Sequence, residues 1–100
     1  MATTPLTWPS KDPGDVKDYD IDWSRWLASV SPNPPDAIAT SAFTVVQGSV
    51  AIQSQAYSGT IAKVWLTGGT AGETVLIRNT ITTVAGRTEL QTVSLTVATR

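Results

Sequence analysis

A chain of 100 residues is long enough for one hydrophobic core and too short for two domains. Hydrophobic residues make up 41% of it and charged residues only 15%, against roughly 25% in an average globular chain, so Thr, Ser, Ala, Gln and Gly must cover much of the surface. The net charge of −1 argues against a nucleic-acid partner, because phosphate binding needs concentrated Lys and Arg.

Residues 1–16 are predicted to form an extended arm. They contain Pro5, Pro9 and Pro13 and show neither helical nor strand periodicity. Each proline fixes φ, removes a backbone donor and biases the preceding residue away from helix. Two interpretations of Trp8 in this arm stay open: an anchor for a partner's pocket, or a side chain folded back onto its own domain. The domain itself is predicted over residues 17–100.

The pattern changes to strict alternation from residue 17 onward. Hydrophobic Tyr19, Ile21 and Trp23 alternate with Asp18, Asp20 and Asp22, which predicts a half-buried strand with its acids facing out. The spacing of these acids matches the first three ligands of a calcium loop, but the positions that require Gly and Glu hold Trp23 and Ser29. We therefore expect a solvated strand face and no metal site.

The remaining segments predict short strands separated by turns. Residues 23–27 continue the first strand or form one helical turn, and SPNPP at 31–35 breaks any element. Strands follow at 38–45, 50–56, 60–67, 74–83 and 88–97, with GGTAGE at 68–73 as a glycine-rich turn and no phosphate site. Because no amphipathic helix of 10–15 residues separates them, the fold class is all-β: a small sandwich of six or seven antiparallel strands with an extended N-terminal arm.

The inner faces of the last two predicted strands follow from their alternation. Gln91, Val93, Leu95 and Val97 share one face, and Val75, Ile77 and Ile81 share the matching face with Asn79 as a polar exception. In the strand at 60–67 we expect Val64 and Leu66 in the core. Trp65 is left open between the edge of the core and an interface.

Composition also excludes several kinds of catalytic and metal-binding site. The sequence has no cysteine and no histidine, which removes thiol nucleophiles, histidine-dependent triads and metal–histidine sites. The acids cluster on one segment and not around a cleft, so we expect no enzyme and no cofactor. The start of the chain lacks the features of a leader peptide and no later run is long enough for a membrane span, which predicts synthesis in the cytoplasm and no membrane partner.

Charge is distributed unevenly along the chain. Residues 1–36 hold six acids and three bases, for −3, and residues 37–100 hold two acids and four bases, for +2. The acidic front and the basic body could attract each other within one chain or between neighbouring copies.

Two long blocks resemble a known family. SKDPGDVKDYDIDWSRWL at 10–27 and VWLTGGTAGETVLIRNTITTVAGRTELQTVSLTV at 64–97 resemble small tailed-phage structural proteins of the fiber-tail adaptor type. The matching pieces are KDPGDVKDY followed by DW, a WL-x-GGTAGE turn, and an ITT-x-AGRTE hairpin before the last strand. The resemblance implies an immunoglobulin-like domain and a non-enzymatic virion protein, made in the host cytoplasm and assembled in many copies.

The function that this resemblance implies is an adaptor at the tail or neck of a bacteriophage, linking tail, fiber or head–tail components. The expected partners are other phage structural proteins and copies of itself in a ring. The partner-binding residues are predicted to be Trp8, Asp15, Asp18, Asp20, Asp22 and Trp65. The alternative is capsid decoration or recognition of a host glycan on the virion, in which Trp65 or Trp8 would stack on sugar.

Overall fold

The computed structural model describes residues 6–30 and 36–99. Seven strands and one helix lie in these ranges: β1 Leu6–Thr7, β2 Val16–Asp22, α1 Ser24–Val30, β3 Ile38–Gln47, β4 Val50–Tyr57, β5 Ile61–Gly68, β6 Thr74–Thr83 and β7 Thr88–Thr96. The predicted break at 31–35 lies outside the described residues.

The strands form two sheets. The front sheet has the order β2-β5-β4, and the back sheet has the order β7-β6-β3, both antiparallel, with two-residue β1 added parallel to β7. The predicted small all-β sandwich is confirmed. Its immunoglobulin-like subtype stays a prediction, which the pairing supports: strands B to G of an immunoglobulin domain divide between two sheets as β2 to β7 do here.

Alternating side chains from both sheets fill the space between them. Tyr19 and Ile21 of β2 are buried, and Asp18, Asp20 and Asp22, which alternate with them, are exposed, as predicted. The predicted inner faces of β6 and β7 are also confirmed. The buried hydrophobic core consists of Tyr19, Ile21, Trp23, Leu27, Ile38, Phe43, Val50, Ala62, Val64, Leu66, Val75, Ile77, Ile81, Val93, Leu95 and Val97.

The segment after β2 forms a helix, which decides between the two structures left open by the sequence. Asp22 accepts a hydrogen bond from the backbone N–H of Ser24 at 2.9 Å, and the N–H of Leu27 donates to the carbonyl of Trp23 at 2.9 Å. The short polar side chain at the helix start satisfies a donor that has no partner within the helix. The helix turns Leu27 into the core, where it is fully buried.

A buried hydrogen bond connects the end of β2 to the back sheet. The indole Nε1 of Trp23 donates to Oδ1 of Asn79 at 2.9 Å. The amide Nδ2 of Asn79 in turn donates to Oγ of Ser41 at 2.9 Å and to the carbonyl of Ala42 at 3.2 Å. The polar residue that interrupts the inner face of β6 therefore joins both sheets and has its hydrogen-bonding groups satisfied.

The described part of the N-terminal segment packs along β7. The N–H of Trp8 donates to Ser94 at 2.9 Å, and Lys11 exchanges backbone hydrogen bonds with Thr96 and Ala98. Lys11 itself is fully buried, and its ammonium donates to the carbonyl of Gly68 at 2.7 Å. The division into an arm at 1–16 and a sandwich at 17–100 stays a prediction, with the added finding that residues 6–11 lie against the sandwich.

The opposite edge of the back sheet is covered by side chains of the front sheet. The backbone N–H of Phe43 in β3 donates to Oε1 of Gln55 at 2.9 Å, and the hydroxyl of Tyr57 donates to the carbonyl of Ala39. Two polar groups on the free edge of β3 therefore bond to β4 without a strand between them.

The loop at 69–73 is the predicted glycine-rich connection, but it crosses from β5 of the front sheet to β6 of the back sheet and does not join two paired antiparallel strands. Gly69 has φ +107°, and a Cβ there would lie 3.0 Å from the side chains of Val50 and Val97. Only glycine meets both requirements, the positive φ and the close approach to the core.

Replacing Asn79 with leucine should strongly destabilise the fold. The indole N–H of Trp23 would be left buried without an acceptor, which costs about 1–3 kcal/mol. The decrease in the free energy of unfolding can be measured by urea denaturation, with tryptophan fluorescence as the signal. The double variant Asn79→Leu with Trp23→Phe removes both partners and should be more stable than the sum of the single losses predicts; strict additivity would contradict a direct interaction.

Candidate functional site

The outward side chains of the front sheet form one candidate interaction surface. Across the strands, Trp65 of β5 lies between Asp18 of β2 and Ser54 of β4, and Lys63 lies between Asp20 and Ala56. We call the set of Asp18, Asp20, Asp22, Lys63 and Trp65 the acid–tryptophan face. The structure therefore brings four of the six predicted partner-binding residues onto one face.

Trp65 is a large aromatic that the sandwich does not bury. It is 39% exposed, while its neighbours Val64 and Leu66 are fully buried, as predicted. A β-bulge in β4 falls between Ile52 and Ser54, directly opposite Trp65. Bulges re-aim side chains and are common beside functional sites. Ser54, the neighbour of Trp65 on β4, has a short side chain, and the exposed indole lies on the middle strand of the sheet.

The carboxylates around Trp65 differ in their partners. Asp18 pairs with Lys63 at 3.2 Å, and both side chains are about 40% exposed, so the pair contributes little to stability. Asp20 is exposed and forms no ion pair with any residue in 6–30 or 36–99. Hydrogen bonds from the Ser24 side chain and backbone lower the pKa of Asp22. The face thus carries three carboxylates against one ammonium.

One end of this face has a shallow groove. The groove has a volume of about 280 Å³ and is lined by Asp20, Ala56, Tyr57, Ser58, Ile61 and Lys63. It offers one carboxylate and one ammonium, and glycoside hydrolysis would need two carboxyl groups facing each other across a sugar. Among the described residues, no group of three or more acidic side chains is placed to hold a metal ion.

Asp15 does not join the acid–tryptophan face. It lies in the turn before β2, where its Oδ2 accepts from the N–H of Asp12 at 3.3 Å and its own N–H donates to the carbonyl of Asp12 at 2.9 Å. The carboxylate of Asp12 accepts in turn from the N–H of Gly14 at 2.8 Å. Within the KDPGD motif these acids therefore form a local turn.

Trp8 also lies away from that face. Its ring stacks on Tyr19, with centroids 4.7 Å apart and planes 13° apart, and the hydroxyl of Tyr19 donates to the carbonyl of Pro9 at 3.1 Å. This packing corresponds to the second interpretation of Trp8, a side chain folded onto its own domain. Trp8 and Trp65 therefore differ in role: Trp8 packs on the sandwich through Tyr19, and Trp65 is exposed to solvent.

Asp36 and Arg87 form a clamp that no sequence pattern predicts. The buried Asp36 accepts from Nη1 of Arg87 at 2.8 Å and from the N–H of Ala37 at 2.9 Å. Nη2 of Arg87 also donates to the carbonyl of Val30 at 3.1 Å. This clamp joins the end of α1, the start of β3 and the β6–β7 turn. The two residues are 51 positions apart, so no local pattern could reveal them.

Hydrogen bonding strongly favours the ionised form of Asp36. The Thr83 hydroxyl, the Ala37 N–H and the Arg87 guanidinium lower its pKa to about 2, although burial raises it. Both ion pairs among the described residues, Asp36–Arg87 and Asp18–Lys63, run from the acidic front to the basic body of the same chain. Part of the charge asymmetry is therefore satisfied internally.

The motifs that carry the family resemblance have structural roles. Lys11 of KDPGD ties the N-terminal segment to Gly68. Glu73 of GGTAGE accepts from the N–H of Thr70 at 2.8 Å and from the hydroxyl of Ser49 at 2.7 Å, and these bonds lower its pKa. With Arg87 of AGRTE in the clamp, these three motif residues connect elements far apart in the sequence.

These features define a small interaction module: a rigid β-sandwich that displays an aromatic ring among carboxylates. The model of the family described as podophage GP4 fiber-tail adaptor protein gp77 matches residues 11–96. This chain belongs to that family, and its role is that of a structural adaptor of the phage tail. No curated protein matches the chain. Within residues 6–30 and 36–99, no helix has the length and apolar character needed to cross a bilayer.

Acid should destabilise the protein through Asp36. Its folded pKa of about 2 lies below the ordinary 3.8, so the unfolded chain takes up the proton first and stability is lost as the pH falls through this range. Asp36→Asn should lower the melting temperature at neutral pH by roughly 5–15 °C and make it less dependent on acid. Differential scanning calorimetry from neutral to acidic pH tests this; Asp20→Asn is the control, and an unchanged acid profile in Asp36→Asn would refute the assignment.

Trp8 and Trp65 should respond differently to truncation. Trp8→Ala removes the stack on Tyr19 and should lower the free energy of unfolding by about 1–3 kcal/mol. Trp65→Ala, at an exposed site, should change it by less than about 1 kcal/mol. Chemical denaturation of both variants measures the contrast, and equal losses would show that Trp65 also supports the fold.

Proposed function

We propose that this chain is a non-enzymatic adaptor of the virion that links tail, fiber or head–tail components by docking its acid–tryptophan face on a neighbouring structural protein. The observation that carries the proposal is the exposed Trp65 on the middle strand of a sheet whose inner face is packed. The backbone of Trp65 is paired with a strand on each side, so little backbone entropy is lost when a partner covers the ring.

The chemistry of the face specifies the partner. An exposed tryptophan fits a recess lined by apolar groups or by a guanidinium, and tryptophan is among the residues that dominate binding energy in interfaces. The surrounding carboxylates favour a basic partner and disfavour an acidic one. The matching surface therefore carries at least one arginine or lysine beside a region that is uncharged.

The other residues predicted to bind partners take a smaller part in this proposal. Trp8 and Asp15 have contacts within the chain, so they support the module and do not present a second docking face. Assembly of several copies in a ring remains part of the proposal. Capsid decoration stays an alternative position on the virion, since a rigid face of this kind could serve at either place.

Substituting Trp65 should impair assembly without unfolding the protein. In a phage that lacks the natural chain, Trp65→Ala supplied in trans should enter purified particles at a level reduced roughly tenfold or more, because an aromatic anchor is lost. Quantitative mass spectrometry of the particles gives the level. Val84→Ala is the control: Val84 is a 73% exposed hydrophobic residue in the turn between β6 and β7, outside the acid–tryptophan face, and its truncation should leave incorporation unchanged.

The same variants test the alternatives. Normal incorporation of Trp65→Ala would remove the acid–tryptophan face as the docking site. If this variant entered particles normally but the particles lost adsorption to host cells, recognition of a host glycan through Trp65 would be the better assignment.

A further inference from the structure

The outward face of the back sheet differs in chemistry from the acid–tryptophan face. Strands β3, β6 and β7 are fully described, and their register places Arg78 between Thr44 and Thr92 in one row and Thr80 between Ala42 and Leu90 in the next. We call Arg78, Thr44, Thr80, Leu90 and Thr92 the arginine–threonine face. Arg78 is the only charged residue at an outward position of these three strands.

Among the described residues of the basic body, Arg78 is the one cation without an ion pair; the cations of the acidic front, Lys11, Lys17 and Arg25, form none either. Arg78 is exposed, whereas Lys63 and Arg87 are each paired with an aspartate. Arg78 lies on the middle strand of its sheet, as Trp65 does on the other. Each face therefore has a single distinctive group at its centre.

We propose that the neighbour of the acid–tryptophan face is a second copy of this chain, whose Arg78 stacks on Trp65 and pairs with Asp20. This inference rests on the proposed function and names the partner of the same face. A guanidinium over an indole gains cation–π attraction, and Asp20 supplies a counter-charge that Arg78 lacks among the described residues of its own chain. The acidic front and the basic body then meet between copies through the groups not paired internally.

The position of the two faces sets the symmetry. They lie on opposite outer surfaces of the sandwich, so a contact between them uses different surfaces on the two copies. Such a heterologous contact repeats head to tail and closes into a ring when the rotation between copies permits. A two-fold dimer would instead place like faces together, with aspartates facing aspartates.

The composition of the arginine–threonine face suits a contact between sheets. Threonine and leucine side chains are desolvated at lower cost than charged groups, and one arginine among them gives orientation without strong repulsion.

A charge exchange between the two faces tests the proposal. In sedimentation velocity over a concentration series, the natural chain should self-associate, and Arg78→Glu or Asp20→Arg alone should weaken association roughly tenfold or more. The double variant Asp20→Arg with Arg78→Glu restores opposite charges across the contact and should regain most of the association. A natural chain that stays monomeric, or a double variant no better than the single ones, would overturn the proposal.

Cross-linking tests the head-to-tail arrangement directly, since the chain has no cysteine. Asp18→Cys flanks Trp65 and Thr92→Cys flanks Arg78. A bismaleimide matched to the roughly 10 Å between packed sheets should give a ladder of oligomers only when both cysteines are in one chain. Dimers formed as efficiently by either single variant would indicate a two-fold contact and refute the head-to-tail model.

Incorporation into particles separates this proposal from the function on which it rests. In one outcome, Asp20→Arg and Trp65→Ala are missing from particles while Arg78→Glu enters normally. The acid–tryptophan face would then bind a different protein, so the adaptor function would stand and the contact between copies would be refuted. Normal entry of all three variants would count against the docking face itself. Loss of all three, with entry restored in the charge-exchanged double variant, supports both proposals.

Discussion

The hydrogen bond between Trp23 and Asn79 is the constraint on which the arrangement of the sandwich depends. It joins the last residue before α1 to the middle strand of the back sheet, so it fixes where the chain leaves the front sheet. A domain of this size has few core residues with which to fix the alignment of two sheets. Apolar contacts have no preferred geometry, so they hold the two sheets together without fixing their alignment. A buried hydrogen bond does have a preferred geometry and therefore restricts that alignment.

Around that constraint, internal and external roles are divided among residues of the same type. Trp8 and Trp23 support the fold and Trp65 is displayed; Asp36 and Asp15 bond within the chain and Asp20 faces solvent. Two arginines differ in the same way: Arg87 pairs with Asp36 inside the chain, and Arg78 is exposed on the surface. The type of residue thus says little about its role here, and its position in the register of the sheets says much more.

Much of the fold could be predicted from local patterns. Alternation in β2, β6 and β7 identified the inner faces correctly, because the side-chain period of a strand depends only on its own sequence. The helix at Ser24–Val30 stayed ambiguous, since a seven-residue segment carries too few periods to distinguish helix from strand. The Asp36–Arg87 clamp and the Lys11–Gly68 contact were invisible for a different reason: residues 51 and 57 positions apart meet only once the sheets are paired. The candidate site could be predicted in part, because the outward acids follow from alternation, whereas the placement of Trp65 beside Asp18 requires the pairing of β2 with β5.

Both edges of the back sheet make contacts that limit strand pairing with other chains before the protein is assembled into a particle. The exposed edge of a sheet is a template for pairing with other copies edge to edge, and β3 has no charged residue while β7 has only Glu89. The N-terminal segment occupies one of these edges, and Gln55 and Tyr57 bond to the other. Indiscriminate strand pairing at these edges is thereby disfavoured, and the faces of the sandwich are left as the surfaces available for docking.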